Sequence, residues 1–271
     1  MLRNPDLMHD RVNNYNQEKH LSSKPSYLQV QDRHCHLLYN PELLDIVSPD
    51  LLSLGIFQQA DECQPVASGG RGQAWFIKLG ELSAVLRSYQ RGGMLAKLNR
   101  QSYLGYSVEN SRSFKEWRLL QSMHEKSLPV PRPVAASVCR WPLSFSPLYR
   151  AHILIERIEG SQTFDQLLSM QAEEVSVWRS IGHCIRHFHD ENIYHADLNA
   201  NNILLNSRQK VYLIDFDKCE IRSNSQQDAQ WKKDNLQRLQ RSLLKQQSLH
   251  QNYYYSDENW AELIAAYDEK A

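Results

Sequence analysis

No stretch of this 271-residue chain approaches the roughly 20 consecutive apolar residues needed to cross a bilayer, so no transmembrane helix is expected. Charge excess is also missing: 31 basic and 31 acidic residues cancel, which removes the overall electrostatic signature of a nucleic-acid binder. The segment Met1–His20 is polar and lacks the apolar centre of a secretory signal. Cysteine is sparse: Cys35, Cys63, Cys139, Cys184 and Cys219 are scattered, odd in number and never in Cys-x-x-Cys spacing. That pattern excludes a zinc site and a disulfide framework, and predicts reduced thiols in a cytosolic compartment. There is no internal repeat. What remains is a chain of ordinary globular composition, long enough for one large domain or two small lobes.

Strand signals come first and helix signals second. Residues 1 to about 35 are rich in Asn, Gln, Asp and Lys with little periodicity, and read as a polar extension, either loosely ordered or a strap on the surface. Asn40-Pro41-Glu42 and Ser48-Pro49-Asp50 each place proline behind an N-cap residue and predict two short helices. Val66–Leu79 alternates around a glycine cluster and Ser83–Arg87 is a compact apolar run, which predicts a hairpin and a third strand. Ser113-Phe114-Lys115-Glu116 has capping-box spacing ahead of Trp117, Leu119, Leu120 and Met123, so a helix follows until Leu128–Pro133 breaks it. Two strands then end in Ile153–Gly160, a connector between lobes. Helices are expected near Phe164–Met170, from Glu173 to His189, and after Trp231, where Leu236, Leu239, Leu243 and Leu244 recur at helical spacing. The fold class is therefore α+β: a bilobal protein-kinase-like arrangement with a small antiparallel sheet and one helix in an N-lobe (36–157), and a mainly helical C-lobe (158–271).

The chemistry concentrates in Tyr194–Leu205 and Val211–Asp217. His195-x-Asp197, an asparagine five residues later at Asn202, and Asp215 behind a strand are the parts of a phosphoryl-transfer site. Asp197 is the candidate catalytic base, a carboxylate able to take the proton of an attacking hydroxyl. Asn202 and Asp215 supply the hard oxygens that Mg²⁺ prefers. Asp217 serves equally well as a turn-closing residue. His195 reads as a buried brace for the Asp215 loop, and His183 with His187 as helix-surface or core polar residues, since the pair lacks a His-Glu-x-x-His pattern.

Ser68–Trp75 resembles a loop that covers nucleotide phosphates, with Gly70 and Gly72 allowing close backbone approach; Trp75 stands where a third glycine is usual. Arg87 occupies the strand position of a phosphate-binding lysine, with Lys78 as the fallback, and Glu116 is either its helix partner or the N3 residue of the capping box. Glu156, at the connector, is a further candidate at the nucleotide. The stretch Arg87–Arg100 contains no acid, so Arg91 and Lys97 are candidates for an anionic acceptor, as is Asn199 in the catalytic loop; a solvated basic loop has the same pattern. The tail helix carries Lys232, Lys233, Arg238, Arg241 and Lys245 beside its leucines. An ordinary amphipathic core helix is the expectation, and a helix resting on an anionic membrane is the alternative.

Taken together, Gly70-Arg71-Gly72 with Ala74-Trp75-Phe76, Val85-Leu86-Arg87 with Tyr89 and Arg91-Gly92-Gly93, His195–Asn199, Asp215–Lys218, and the closing Trp231, Asn235-Leu236 and Arg238–Leu243 resemble the bacterial 3-deoxy-D-manno-octulosonic acid (Kdo) kinases over roughly residues 65 to 250. The resemblance implies ATP- and Mg²⁺-dependent phosphorylation of the 4-hydroxyl of Kdo on a lipid A precursor, in lipopolysaccharide inner-core synthesis. It implies peripheral attachment at the cytoplasmic face of the inner membrane of a Gram-negative bacterium, with an anionic lipid-linked sugar as partner and neither nucleic acid nor a protein partner. Ala196 and Asn199 depart from the protein-kinase catalytic loop, and no Ala-Pro-Glu element follows Asp217, so a peptide acceptor is disfavoured. The alternatives are a heptose kinase of the lipopolysaccharide core, an aminoglycoside-type small-molecule kinase, and a pseudokinase acting as a binding module.

Overall fold

Period-two alternation builds the first half of the molecule. The computed structural model describes residues 27–32, 34–45, 48, 52, 63–66, 73–89, 103–104, 107–140, 148–222 and 230–269. Its main sheet is made of β1 (Leu28–Asp32), β2 (Cys35–Tyr39), β3 (Cys63–Pro65), β4 (Gln73–Leu79), β5 (Leu82–Ser88), β6 (Tyr103–Leu104), β7 (Pro133–Arg140) and β8 (Leu148–Glu156). The strand order is β1-β2-β7-β8-β5-β4-β3, with β6 also on β8, and neighbouring strands are antiparallel. Eight strands are more than the small sheet expected. The surplus includes the β1–β2 hairpin, whose first strand lies in the stretch read as a polar extension, so the boundary at 35/36 falls at the start of β2 rather than between folded units.

Alternate residues of β8 face opposite sides, as a pleated strand requires. Ile153 and Ile155 join the core beneath helix α1 (Arg112–Glu125), while Leu154 joins a second cluster on the other face with Leu37, Ile77, Ala84 and Leu86. A register shift between Pro133 and Ala135 lets consecutive Val134 and Ala135 both enter that second cluster. Helix α1 lies under the sheet with Phe114, Trp117 and Met123 fully buried. Each such side chain contributes about 1.5–3 kcal/mol of burial energy.

Three expectations are corrected here. Asn40-Pro41-Glu42 forms one capped turn rather than a helix: Asn40 Oδ1 accepts from Glu42 N at 2.9 Å, and the Asn40 carbonyl accepts from Leu43 and Leu44 N. Of Ser48-Pro49-Asp50, Pro49 and Asp50 lie outside the described residues. The N-cap of α1 is Ser111, whose side chain accepts from Phe114 N, while Ser113 Oγ donates to Ser137 O at 3.0 Å. The capping box at Ser113 therefore does not form, and Glu116 is free for another task. Finally, Cys35 and Cys139 are joined by a disulfide across β2 and β7, where they are direct register partners with Cα atoms 4.0 Å apart. A separation of 104 residues conceals that pairing from spacing rules; Cys63, Cys184 and Cys219 are free thiols.

The second half is helical. It comprises α2 (Phe164–Met170), α3 (Val175–Asp190), α4 (Gln230–Leu249) and α5 (Asp257–Asp268). The short strands β9 (Gln162–Thr163), β11 (Ile203–Leu205) and β12 (Val211–Leu213) form one small sheet, and β10 (Ile193–Tyr194) pairs with β13 (Glu220–Ile221). Thr163 closes a full capping box with Gln166 on α2. Helix α5 was not expected. Ser256 caps it, acids occupy its first turn, and its backbone comes so close to α3 that a Cβ on Gly182 would lie 2.2 Å from Leu263 O. Among the described residues no helix is long and apolar enough to cross a membrane.

Candidate active site

Between β10 and β11 the chain makes a loop whose backbone is held from several directions. His195 is buried, and its Nδ1 accepts from Asp197 N at 3.3 Å. The proton therefore sits on Nε2, which donates to Ile214 O at 2.9 Å. Burial lowers the pKa of this imidazole, against the opposing pull of the Ile214 bond, and keeps the ring neutral. On the other side, the Asp197 carbonyl accepts from Asn202 Nδ2 at 2.8 Å and from Asn199 Nδ2 at 3.0 Å. Asp197 thus has a fixed backbone and an exposed carboxylate. Asn199 uses its amide oxygen as well, accepting from Asn201 N at 2.9 Å to cap the 3-10 turn Ala200–Asn202. The structure gives it a local role where the sequence pointed to substrate.

Asp215 follows β12 with φ of +64°, a left-handed conformation that aspartate tolerates better than most residues. Phe216 explains how that turn is held: it is buried, stacks on Phe188 of α3 at 5.8 Å and meets the His195 ring at 4.9 Å. Ile214 N also donates to Asn202 O at 3.0 Å, which ties the Asp215 strand end to the His195–Asn202 loop. Asn202 and Asp215 are therefore neighbouring oxygen donors. The Asn202 Nδ2 atom is already engaged, leaving its amide oxygen for a cation. Among the described residues no cluster of three or more His, Cys, Asp and Glu converges as a metal cage. One carboxylate and one amide oxygen, completed by water and phosphate, is a donor set that fits Mg²⁺.

Arg87 connects this loop to the sheet and to α1. Its Nη1 donates to Glu116 Oε1 at 2.9 Å and its Nη2 to Asp215 Oδ1 at 2.6 Å. Burial opposes its charge, but Glu116 and Asp215 outweigh that and hold its pKa above the ordinary arginine value. Tyr89 Oη donates a short bond to the second Glu116 oxygen; burial first, and then Glu116, raise its pKa well above that of a free phenol. Lys78, by contrast, is exposed and pairs with Ser83 further along the β4–β5 hairpin. Asp217 does more than close a turn. It binds Arg112, at the start of α1, through Arg112 Nε at 2.8 Å and again through Nη2.

Arg87, Glu116, Asp215, Asn202 and Asp197 are thus brought into one connected network. Glu156 stands apart from it, opposite Ala84 on β8, with its N–H on Arg132 O at 2.9 Å. Gly70, Gly72, Arg91 and Lys97 lie outside the described residues.

Residues 58–267 match the lipopolysaccharide kinase (Kdo/WaaP) family. The chain belongs to that family. It is 42% identical over 217 residues to a 3-deoxy-D-manno-octulosonic acid kinase of Haemophilus influenzae, covering 78% of this chain and 87% of the relative. It is 37% identical over 246 residues to the protein of the same name from Actinobacillus succinogenes, covering 89% and 99% respectively. A Xylella fastidiosa protein of that name is 43% identical over 194 residues, covering 70% and 75%.

In this Kdo/WaaP kinase several supporting residues carry the site from behind without having been singled out for it. Asn235 of α4 is buried. Its Nδ2 donates to His195 O at 2.8 Å, and its Oδ1 accepts from His195 N and from His189 Nε2, each at 3.3 Å. His189 is buried too, bonds Tyr267 Oη at 2.8 Å, and has its pKa pushed down to about 4 by desolvation. Ser242, two turns along α4, accepts from Ala200 N at 3.2 Å. Cys219 Sγ accepts from Ala196 N at 3.2 Å, and its burial raises the thiol to about 12, so it acts as a neutral strut. The visible signal for Asn235 was a polar residue on the otherwise apolar stripe of Trp231, Leu236, Leu239 and Leu243.

Proposed function

We propose that this kinase transfers the γ-phosphate of ATP to the 4-hydroxyl of Kdo on a lipid A precursor, at the cytoplasmic face of the inner membrane. In this reading the sheet with α1 and the helical half are the two lobes of a protein-kinase-like fold, joined by the connector after β8. The observation that carries the chemistry is the Arg87 fork. A cation on β5 grips both the α1 carboxylate and the Asp215 carboxylate, so it stands beside the Asn202–Asp215 donor pair, where phosphates would lie. The substrate reading rests on the Kdo kinases to which the chain is similar over most of its length.

Asp197 takes the proton of the acceptor hydroxyl as that oxygen bonds to the γ-phosphorus and the bond to the β,γ-bridging oxygen breaks, releasing ADP. Asn202 and Asp215 would hold Mg²⁺, which when bound offsets phosphate charge. Arg87 contributes two donors with fixed geometry and permanent charge to the same phosphates. Gly70 and Gly72 would cover them, with Glu156 at the nucleotide edge and Arg91 and Lys97 facing the anionic acceptor.

The test is mass-shift analysis of a Kdo-lipid A precursor, a heptosylated core and an aminoglycoside, each incubated with protein, ATP and Mg²⁺. A phosphate added to the Kdo acceptor alone is expected. Transfer only to heptose or aminoglycoside would reassign the substrate, and no transfer by a folded, nucleotide-binding protein would support a pseudokinase. Asp197→Asn should retain nucleotide binding while turnover falls about 10²–10⁴-fold, the usual contribution of a general base. Near-native turnover would remove Asp197 from that role.

A further inference from the structure

We propose that the outer face of α4 is the surface on which this kinase rests against an anionic lipid bilayer. The proposal builds on the reading that the acceptor is lipid-linked, and names the part of the molecule that meets the lipid.

The inner face of α4 is accounted for: Trp231, Asn235, Leu236, Leu239 and Leu243 are buried against the core and the catalytic loop. The outer face presents Lys233, Arg238, Arg241 and Lys245, all exposed. Most described arginines elsewhere, including Arg87, Arg112, Arg118, Arg132, Arg179 and Arg186, have a carboxylate within ion-pair distance. Among the described residues these four cations have none. The helix's one acid, Asp234, accepts instead from Gln230 at 2.9 Å.

Arg238 and Arg241 are spaced i,i+3, and Arg241 and Lys245 i,i+4, so like charges sit side by side on the helix. That arrangement works against the helix unless an anionic surface lies opposite. In a chain whose charges otherwise balance, it is a local concentration of one sign. The row runs about 18 Å along the axis from Lys233 to Lys245, at 1.5 Å per residue.

Apolar anchors accompany the row. Leu244 lies within the cationic face at 45% exposure, and Leu249 ends the helix at 64%. Tyr254, also exposed, donates its N–H to Leu168 O at 2.9 Å, which places it beside the end of α2, where Met170 is 67% exposed. A cationic face that carries one exposed leucine and ends on another is the pattern of a helix lying in a headgroup region. Neither a duplex nucleic acid nor an acidic protein face explains why an exposed leucine stands within the cationic row.

The position couples docking to chemistry. The same helix that would meet lipid holds His195 through Asn235 and Ala200 through Ser242. Its diameter of about 10–12 Å sets the catalytic loop at a fixed offset from the bilayer, suited to a sugar that protrudes from the surface.

The experiment is co-sedimentation of the full chain, without nucleotide or acceptor, with vesicles of phosphatidylglycerol and phosphatidylethanolamine, and with phosphatidylcholine vesicles as the neutral control. The protein should partition onto the anionic vesicles alone, and less so as salt rises. A combined Lys233→Glu, Arg238→Glu, Arg241→Glu and Lys245→Glu variant should lose about 100-fold or more of that partitioning. A second variant carrying glutamine at the four positions should show an intermediate loss, which separates charge from misfolding. Both should phosphorylate a water-soluble Kdo acceptor at the parent rate and fall behind on the vesicle-embedded one. Equal binding of parent and variants, equal binding to neutral vesicles, or tighter binding to a duplex oligonucleotide would overturn the proposal. Vesicle binding without phosphorylation of any Kdo acceptor would sink the substrate reading and leave this surface standing; phosphorylation without vesicle binding would do the reverse.

Discussion

Arg87→Met removes the cation that two carboxylates share, and its effect on stability can be worked out from their exposure. The Glu116 side chain is only 2% exposed, whereas that of Asp215 is 42% exposed. Stranding a buried partner costs about 3–5 kcal/mol, while losing a surface pair costs about 1 kcal/mol or less. Tyr89 Oη still donates to Glu116 in the variant, which places the expected loss near the lower bound, about 3 kcal/mol. At about 2–4 °C per kcal/mol for a chain of this size, the melting temperature should fall by about 6–12 °C. Glu116→Gln alone should cost less, because Arg87 keeps Asp215 and the new amide still accepts from Tyr89. Combining Arg87→Met with Glu116→Gln should recover about 2 kcal/mol relative to the sum of the single changes, since no buried charge is then left alone. Urea unfolding followed by tryptophan fluorescence, with Trp117 buried on the same helix, reads all four corners of the cycle. Strict additivity would refute the claim that the fork exists to neutralise Glu116.

Gly182→Ala should destabilise the helical half by about 1–3 kcal/mol, the usual penalty of overpacking, because its Cβ would fall 2.2 Å from Leu263 O on the α5 backbone. Alanine is favoured over glycine in a helix by about 1 kcal/mol, so an unchanged or raised melting temperature would show that α3 and α5 do not pack this closely. The buried His189 makes stability depend on acid. Its pKa is about 4 when folded against an ordinary 6.5, so as pH falls below 6.5 the unfolded chain takes up a proton that the folded chain refuses. The stability this residue confers is complete above about pH 6.5, declines by about 3 kcal/mol as pH falls towards 4, and levels off below that. His189→Gln should flatten the urea midpoint against pH by about one proton over this window, leaving the slope from His152, which burial also depresses to about 4, and from His195 and His36, which burial also lowers. An unchanged slope would place the acid sensitivity elsewhere.

Local patterns in the chain revealed most elements and missed those whose cause is distant. The Phe164–Met170 helix was legible and the structure closes it with its own capping box, and the Val66–Leu79 alternation with the Ser83–Arg87 apolar run marked the β4–β5 hairpin. The strand Leu28–Asp32 also alternates, but its outward residues are Gln29 and Gln31 in a polar neighbourhood, so the period-two signal was weak until β2 paired with it. Helix α5 had a cap at Ser256 and apolar Trp260, Leu263, Ile264 and Tyr267, yet its stability comes from the close approach at Gly182, which no window along the chain reveals. Cys35 and Cys139 meet only because β2 and β7 are neighbours in one register. Within the site, Asp197, Asn202 and Asp215 were found because each lies close to the others in sequence. Tyr89, Ser242 and Arg112 act across 27 to 105 residues and leave no local mark, and Asn235, acting across 40, shows only as a polar residue on an apolar stripe.

Arg87 shows how such a gap changes the meaning of a residue. Along the chain it is an arginine where a lysine is usual, a departure that invites the idea of a silent kinase. In the fold it must reach two carboxylates that approach from different elements, Glu116 from α1 and Asp215 from the turn after β12. An ammonium is a single point charge on a flexible stem, whereas a guanidinium offers separate donors in a rigid plane and stays charged when buried. Using Nη1 for one acid and Nη2 for the other needs that plane. Arg112 repeats the arrangement on Asp217 with two of its nitrogens, so α1 is fastened to the Asp215–Asp217 turn at both of its acids. With the helix held at two points by arginine side chains, its carboxylate stays aligned with the Asp215–Asp217 turn. The substitution that looked like a defect is what lets one side chain join both acids.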